Sequence, residues 1–235
     1  MATDSEQTRA ESATARRAEP HGSAFRGRDL LLLGLFLMAV GALAVVLIHG
    51  PAKAKVLGSA PVTSSTYAGL VLNPAKPAPP LSLKNYLGQE VNIRAYRGQA
   101  VLVTFLYTHC PNVCPLIAST LHTALVEMPA VERREVRIIA VSVDPRGDTP
   151  ATVAQFLAAH EMTGRMQYLL GGASALSRVW ARWGVGSARD TGNPELVAHT
   201  ALVYGITGRG RIVTIYPSDF SAREIVRDVP RLAAA

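Results

Sequence analysis

The stretch Ala100–Pro115 reads AVLVTFLYTHCPNVCP. Its first half, Ala100–Tyr107, is an unbroken apolar run rich in β-forming residues and reads as a buried strand. Its second half holds the only two cysteines of the chain, Cys110 and Cys114. Reactive groups and ligands gather at the carboxyl ends of strands in open α/β sheets. Proline is tolerated at the first helical position, so the next helix is predicted to begin at Pro115, with Cys114 as its N-cap. On that reading Cys114 sits in the positive end of the helix dipole, which favours its thiolate. Cys110 lies on the same turn, and the two sulfurs can converge.

Working outward, Val91–Ile93 is a short strand, Leu116–Met128 has helical spacing and Val136–Val143 is a second buried strand. Thr149 caps a helix that opens with Pro150 and runs through His160. Gln167–Leu170 is a third strand, and Ser174–Trp183 is a helix stopped by Gly184. Thr200–Ile206 and Arg211–Tyr216 form a hairpin across Thr207–Gly210, and Ser221–Leu232 is a last amphipathic helix. The order implies an α/β fold, a mixed central sheet with helices on its faces, over residues 81–235.

Ahead of this domain, Leu30–Ile48 is free of charge. At 1.5 Å per residue such a helix spans roughly 28 Å, about the hydrocarbon thickness of a bilayer. It is expected to be a transmembrane anchor. Arg16, Arg17, Arg26 and Arg28 precede it closely, whereas only Lys53 and Lys55 follow it closely. That asymmetry keeps the polar tail 1–29 in the cytoplasm and puts the rest on the other side. Ala52-Lys53-Ala54 resembles a cleavage site, but the long apolar run and the polar head favour an uncleaved anchor. Residues 49–80, with six prolines from Pro51 to Pro80, read as an extended linker.

The formal charge is +7, and 20 of the 24 basic residues are arginine. Residues 81–235 carry sixteen basic and twelve acidic residues, an ordinary solubility charge. With no basic run longer than two residues and no RNA-binding or zinc-finger spacing, nucleic acid is not the expected partner.

Two converging thiols have three uses: a structural disulfide, a redox pair, or a soft-metal site. The C-x-x-x-C spacing is not the C-x-x-C of thioredoxin-like reductases. Two cysteines cannot fill a four-cysteine zinc site, whereas two thiolates and one imidazole suit Cu(I). Of the six histidines, His21 is in the tail, His49 at the membrane edge, His109 beside Cys110, His122 inside a helix and His160 at a helix end. His199, just before the strand Thr200–Ile206, is the natural third ligand if that strand neighbours the cysteine strand. A lone histidine before a strand is, on spacing alone, more often structural.

Three segments together resemble the Sco/SenC family of membrane-anchored copper proteins: Tyr107-Thr108-His109-Cys110-Pro111-Asn112-Val113-Cys114-Pro115, Ser142-Val143-Asp144-Pro145-Arg146-Gly147-Asp148-Thr149-Pro150, and His199-Thr200. Tyr168–Gly172 through Val179-Trp180 also fits. The resemblance implies a thioredoxin-like fold and copper, as Cu(I) and also Cu(II), bound by Cys110, Cys114 and His199. It further implies an inner-membrane protein with its domain in the periplasm or intermembrane space. Its partners would be a copper donor protein and subunit II of cytochrome c oxidase, whose binuclear copper centre it would load. The alternatives are a thiol-disulfide reductase that keeps that centre's cysteines reduced, with Cys110 and Cys114 as its redox pair, and a copper or redox sensor. Three positions depart from the family's usual pattern: Asn112 and Ala198 stand where Asp is common, and Gly147 where Arg is common. Asp144 and Asp148 read as turn and helix-start residues rather than copper ligands.

Overall fold

The computed structural model describes residues 32, 34–41, 66–189, 191–192 and 196–235. The chain divides into two compact units, Met1–Pro61 and Val62–Ala235. In the first, residues 32 and 34–41 are helical, with Leu35, Phe36, Leu37 and Met38 exposed. The rest of the expected anchor, the tail 1–29 and linker residues 49–65 lie outside the described residues. Among the described residues no helix is long and apolar enough to cross a membrane.

The second unit is built on an eight-stranded mixed sheet. In chain order its elements are β1 (Leu70–Pro77), β2 (Ser82–Asn85), β3 (Glu90–Asn92), a 3-10 turn at Ile93–Tyr96, β4 (Ala100–Leu106), α1 (Val113–Glu127), α2 (Ala130–Arg134) and β5 (Val136–Ser142). There follow α3 (Pro150–Ala159), β6 (Met166–Leu170), α4 (Ala173–Trp183), β7 (Ser187–Arg189), β8 (Val197–His199), β9 (Leu202–Ile206), β10 (Arg211–Pro217) and α5 (Ala222–Ala234). The sheet order is β1-β10-β9-β4-β5-β6-β2-β3, and β7 and β8 pair separately.

The two apolar runs occupy the centre, as their composition predicts. All seven residues of β4 are buried, and β4 and β5 pair in parallel from Ala100↔Val136 to Leu106↔Ser142. Strands buried on both faces have no reason to alternate polar and apolar residues. On one face Phe105, Trp183 of α4 and Tyr204 form a cluster with ring centroids 5.4–6.1 Å apart. On the other, α1 packs against α5. The expected helix signals hold: Thr149 and Thr152 form a reciprocal capping box ahead of Pro150, and Gly184 ends α4 at φ 67°.

Two expectations are corrected. The segment 49–80 is not linker throughout, because Leu70–Pro77 adds β1 to the edge of the sheet beside β10. Proline in a strand is compatible with an edge position, and the register shifts between Val71 and Lys76, around Pro74. The helix after the cysteines begins at Val113, with Asn112 rather than Cys114 at its N-cap. Pro115 is therefore the third helical residue, still within the first turn, where a missing N–H interrupts no intrahelical bond.

Candidate metal and redox site

β4 delivers Tyr107 at its end, and the turn Thr108–Asn112 carries the chain into α1. The buried Asp148 carboxylate fixes this turn. Its Oδ1 accepts from the Thr108 N–H and hydroxyl, both at 2.8 Å. Its Oδ2 accepts from Ser142 Oγ at 2.6 Å and Tyr168 OH at 3.0 Å. Burial pushes the Asp148 carboxyl above its ordinary range, and these four donors oppose the shift. Sequence reasoning read Asp148 as a helix-start residue; it also holds the cysteine turn in place. It lies in the loop between β5 and α3, and its partner Thr108 is forty residues away in the chain, so no local pattern announces the contact.

Cys114 is fully buried, and Cys110 is half-buried. Neither is in a disulfide. The Cys114 backbone N–H, one of the unpaired donors of the first turn of α1, points at Cys110 Sγ, 3.4 Å away. Asn112, the N-cap residue, makes no side-chain capping bond, so the sulfur of Cys110 takes that place. A hydrogen bond from the Cys114 side chain holds the Cys110 thiol well below its ordinary range, with further help from His199 and the Cys114 and Asn112 backbone, against desolvation. The same pairing, together with burial, pushes Cys114 up. The thiolate thus falls on Cys110 and not, as its expected N-cap position suggested, on Cys114, chiefly through the Cys114 side chain, with the N–H groups at the start of α1 adding to it.

This asymmetry has a direct chemical consequence. Iodoacetamide added to the reduced chain should alkylate Cys110 first, and its rate should persist well below the pH at which a free thiol, of pKa about 8.5, loses reactivity. Cys114 should remain unmodified in the folded protein. Peptide mass mapping of a pH series checks both statements, and equal labelling of the two would contradict them.

His199 ends β8, three residues before β9. β9 pairs antiparallel with β4, with Val203 opposite Thr104, so the start of β9 lies beside the end of β4. That topology brings His199 to the cysteines: its Nε2 is 3.7 Å from Cys114 Sγ. Its Nδ1 is 3.2 Å from the Thr200 carbonyl, which can only accept, so Nδ1 carries a hydrogen. In the neutral ring Nε2 then carries the lone pair, the state a metal ligand needs; only with the ring protonated are both nitrogens donors, and it is then that His199 donates to the Cys110 thiolate. Tyr107 meets the ring edge-on, at a centroid separation of 5.7 Å.

The donor set fits a soft ion. A sulfur and an imidazole nitrogen held about 2.3 and 2.0–2.1 Å from one ion, at roughly 120°, lie roughly 3.8 Å apart. The observed contact is 3.7 Å. Among the described residues no group of three or more His, Cys, Asp and Glu stands arranged to hold a metal ion. The three donors instead touch one another beside an open hollow lined by Tyr107, Pro111, Val113, Val197, Ala198 and Ala201. A site open on one side suits uptake and release. The other described histidines stand apart: His109 and His160 line a separate hollow, and His122 lies 3.7 Å from Glu161.

The SCO1/SenC family model matches residues 72–234. The chain belongs to the SCO1/SenC family. A SCO2-like protein of Rickettsia prowazekii is 25% identical over 84% of this chain and 93% of its own length. The mitochondrial SCO2 homolog of Bos taurus is 28% identical over 60% of this chain but only 53% of its own length. Among solved structures, apo Sco1 from Thermus thermophilus is similar at TM-score 0.61 and 29% identity, covering 71% of this chain and 96% of that one. ScoI of Bradyrhizobium japonicum, solved with copper bound, is similar at TM-score 0.57 and 29% identity, covering 66% of this chain and 98% of that one.

Proposed function

We propose that this SCO1/SenC member is a copper metallochaperone in which Cys110, Cys114 and His199 hold Cu(I) and pass it to a partner. The observation that carries this reading is the meeting of two thiols and the lone-pair nitrogen of His199 in one open site. Soft thiolates with an imidazole select Cu(I). A relative adds support: ScoI of Bradyrhizobium japonicum was solved with copper bound. The receiving site is the binuclear copper centre of cytochrome c oxidase subunit II, and the source a copper donor protein. The chain is anchored by residues 30–48 in the inner membrane, its N-terminus cytoplasmic and its copper domain in the periplasm or intermembrane space. The uneven Lys/Arg flanks of the apolar run support that orientation.

Anaerobic titration of the reduced chain with Cu(I) against a competing chelator tests this. The expected result is one tightly held copper per chain, lost when Cys110 and Cys114 are both replaced by serine. A chain shortened to remove the anchor should start at Val62 and not at Leu81, so that β1 is retained. A parent chain that retains no copper would overturn the proposal.

The half-buried Cys110 thiolate beside a buried Cys114 thiol also suits a reductase. Cys110 would attack a partner disulfide, forming a mixed disulfide and releasing one partner thiolate. Cys114, once its proton has left, would displace the second, leaving a Cys110–Cys114 disulfide and two electrons on the partner.

Asn112 and Ala198 are exposed and border the open hollow with Cys110 and His199. Asn112→Asp with Ala198→Asp places carboxylates beside a thiolate and a copper cation. The pair should raise the Cys110 thiol and tighten copper. An alkylation–pH profile and a Cu(I) competition both unchanged from the parent would show that these two departures have no electrostatic effect.

A further inference from the structure

Beside the cysteine turn a second hollow opens between α1 and α3. It is lined by His109 and His160, with Thr108, Thr152, Gln155 and Phe156 among its walls. We propose that the Nε2 atoms of His109 and His160 form a second metal site in this hollow, one that takes a borderline divalent cation, Cu(II) above all, rather than the Cu(I) suited to the thiols.

The hydrogen bonding around each ring carries the argument. The Thr108 hydroxyl donates to Asp148 Oδ1 at 2.8 Å, so toward His109 Nδ1, 3.2 Å away, it can only accept. His109 Nδ1 therefore carries the hydrogen, and its Nε2 has the lone pair in the neutral ring. His160 Nδ1 is 3.2 Å from Ser119 Oγ, the one polar contact of that ring among the described residues. Its ring packs against Phe156 at a centroid separation of 4.6 Å. Each imidazole thus meets a hydroxyl through Nδ1; with Ser119 Oγ accepting from His160 as Thr108 Oγ1 accepts from His109, both Nε2 atoms are left for a ligand, the arrangement in which protein histidines hold metals. Burial also lowers the His160 pKa, favouring the neutral ring that can ligate. The hollow has no sulfur, and nitrogen donors suit Cu(II), Zn(II) and Ni(II) over Cu(I). With two protein ligands the remaining positions fall to water, so the ion would be held loosely and exchange readily. Only the choice of copper among these cations rests on the metallochaperone reading.

The test uses the full chain with Cys110→Ser and Cys114→Ser, titrated with Cu(II) and read by electron paramagnetic resonance. The expected result is one equivalent of an axial Cu(II) signal with imidazole nitrogen coupling. His160→Gln or His109→Gln should weaken that binding at least tenfold, and His122→Gln should leave it unchanged. The parent chain oxidised to the Cys110–Cys114 disulfide, which cannot ligate, repeats the titration without altering the core. Absence of the signal in both forms, or its survival in His109→Gln with His160→Gln, would overturn the proposal. A parent chain that fails to hold Cu(I) at its thiols while the imidazole signal stands would count against the metallochaperone reading alone.

Discussion

Replacing His199 by alanine lowers Cu(I) affinity about 100-fold and leaves dithiol–disulfide exchange within a few-fold of the parent. The first half follows from the donor set. His199 Nε2 faces Cys114 Sγ at 3.7 Å with its lone pair free, because Nδ1–H is committed to the Thr200 carbonyl. Even partners that merely orient a ligand change metal affinity by about 10–100-fold, so loss of a ligand belongs at or above the top of that range. The second half follows from the thiolate. Cys110 is held in its ionised form first by the Cys114 side chain, with the backbone N–H groups of Cys114 and Asn112 adding to it. Those donors remain in the variant. Loss of the His199 contact raises the Cys110 thiol only part of the way back, and exchange rates depend modestly on that shift. Copper competition and exchange with a small disulfide, measured on one preparation, separate the two activities. A variant that keeps parental copper affinity while exchange collapses would reverse the assignment and make the protein a reductase.

The centre of this fold is legible because its residues have no alternative. AVLVTFLY and VRIIAVSV can be buried only as central strands, and Thr149-Pro150 can hardly do anything but open a helix. His199 is legible as a candidate for a topological reason: it precedes a strand that pairs with the cysteine strand. What escaped the sequence is what depends on partners distant in the chain. β1, LVLNPAKP, contains two prolines and no alternation, and only the free edge of β10 makes it a strand. β7 and β8 are three residues each and exist by pairing with one another. The placement of the thiolate was missed for a subtler reason. A two-residue shift in the start of α1 moves Cys114 from the N-cap into the first turn, and its own backbone N–H, which has no intrahelical partner there, points at Cys110. Element boundaries are the least determined feature of a sequence, and here the chemistry turns on one.

Replacing Asp148 by alanine destabilises the copper-free domain by about 4 kcal/mol, near the upper end for a single substitution. The carboxylate is the shared acceptor for four donors: the Thr108 N–H and hydroxyl, Ser142 Oγ and Tyr168 OH. Tyr168 and Ser142 are fully buried and have no water to turn to. Each buried donor left without a partner costs about 1–3 kcal/mol, and the four share one network, so the sum is less than four separate losses. Asp148→Asn keeps the shape and one oxygen, and should cost roughly half as much. The pH dependence identifies the group. Burial raises the folded-state pKa of Asp148 above its ordinary value of 3.8, so between those two values the folded state binds more protons than the unfolded one. Its contribution to stability is therefore fully present below the ordinary value and declines as pH rises through the folded one, a slope that Asp148→Asn removes. Urea denaturation across pH 3–7 measures both quantities. Because Thr108 leads directly into Cys110, the same substitution should loosen the cysteine turn and weaken Cu(I) binding in the fraction that still folds. An alanine variant as stable as the parent would mean that Thr108 finds another anchor, and that the cysteine turn is held by the start of α1 alone.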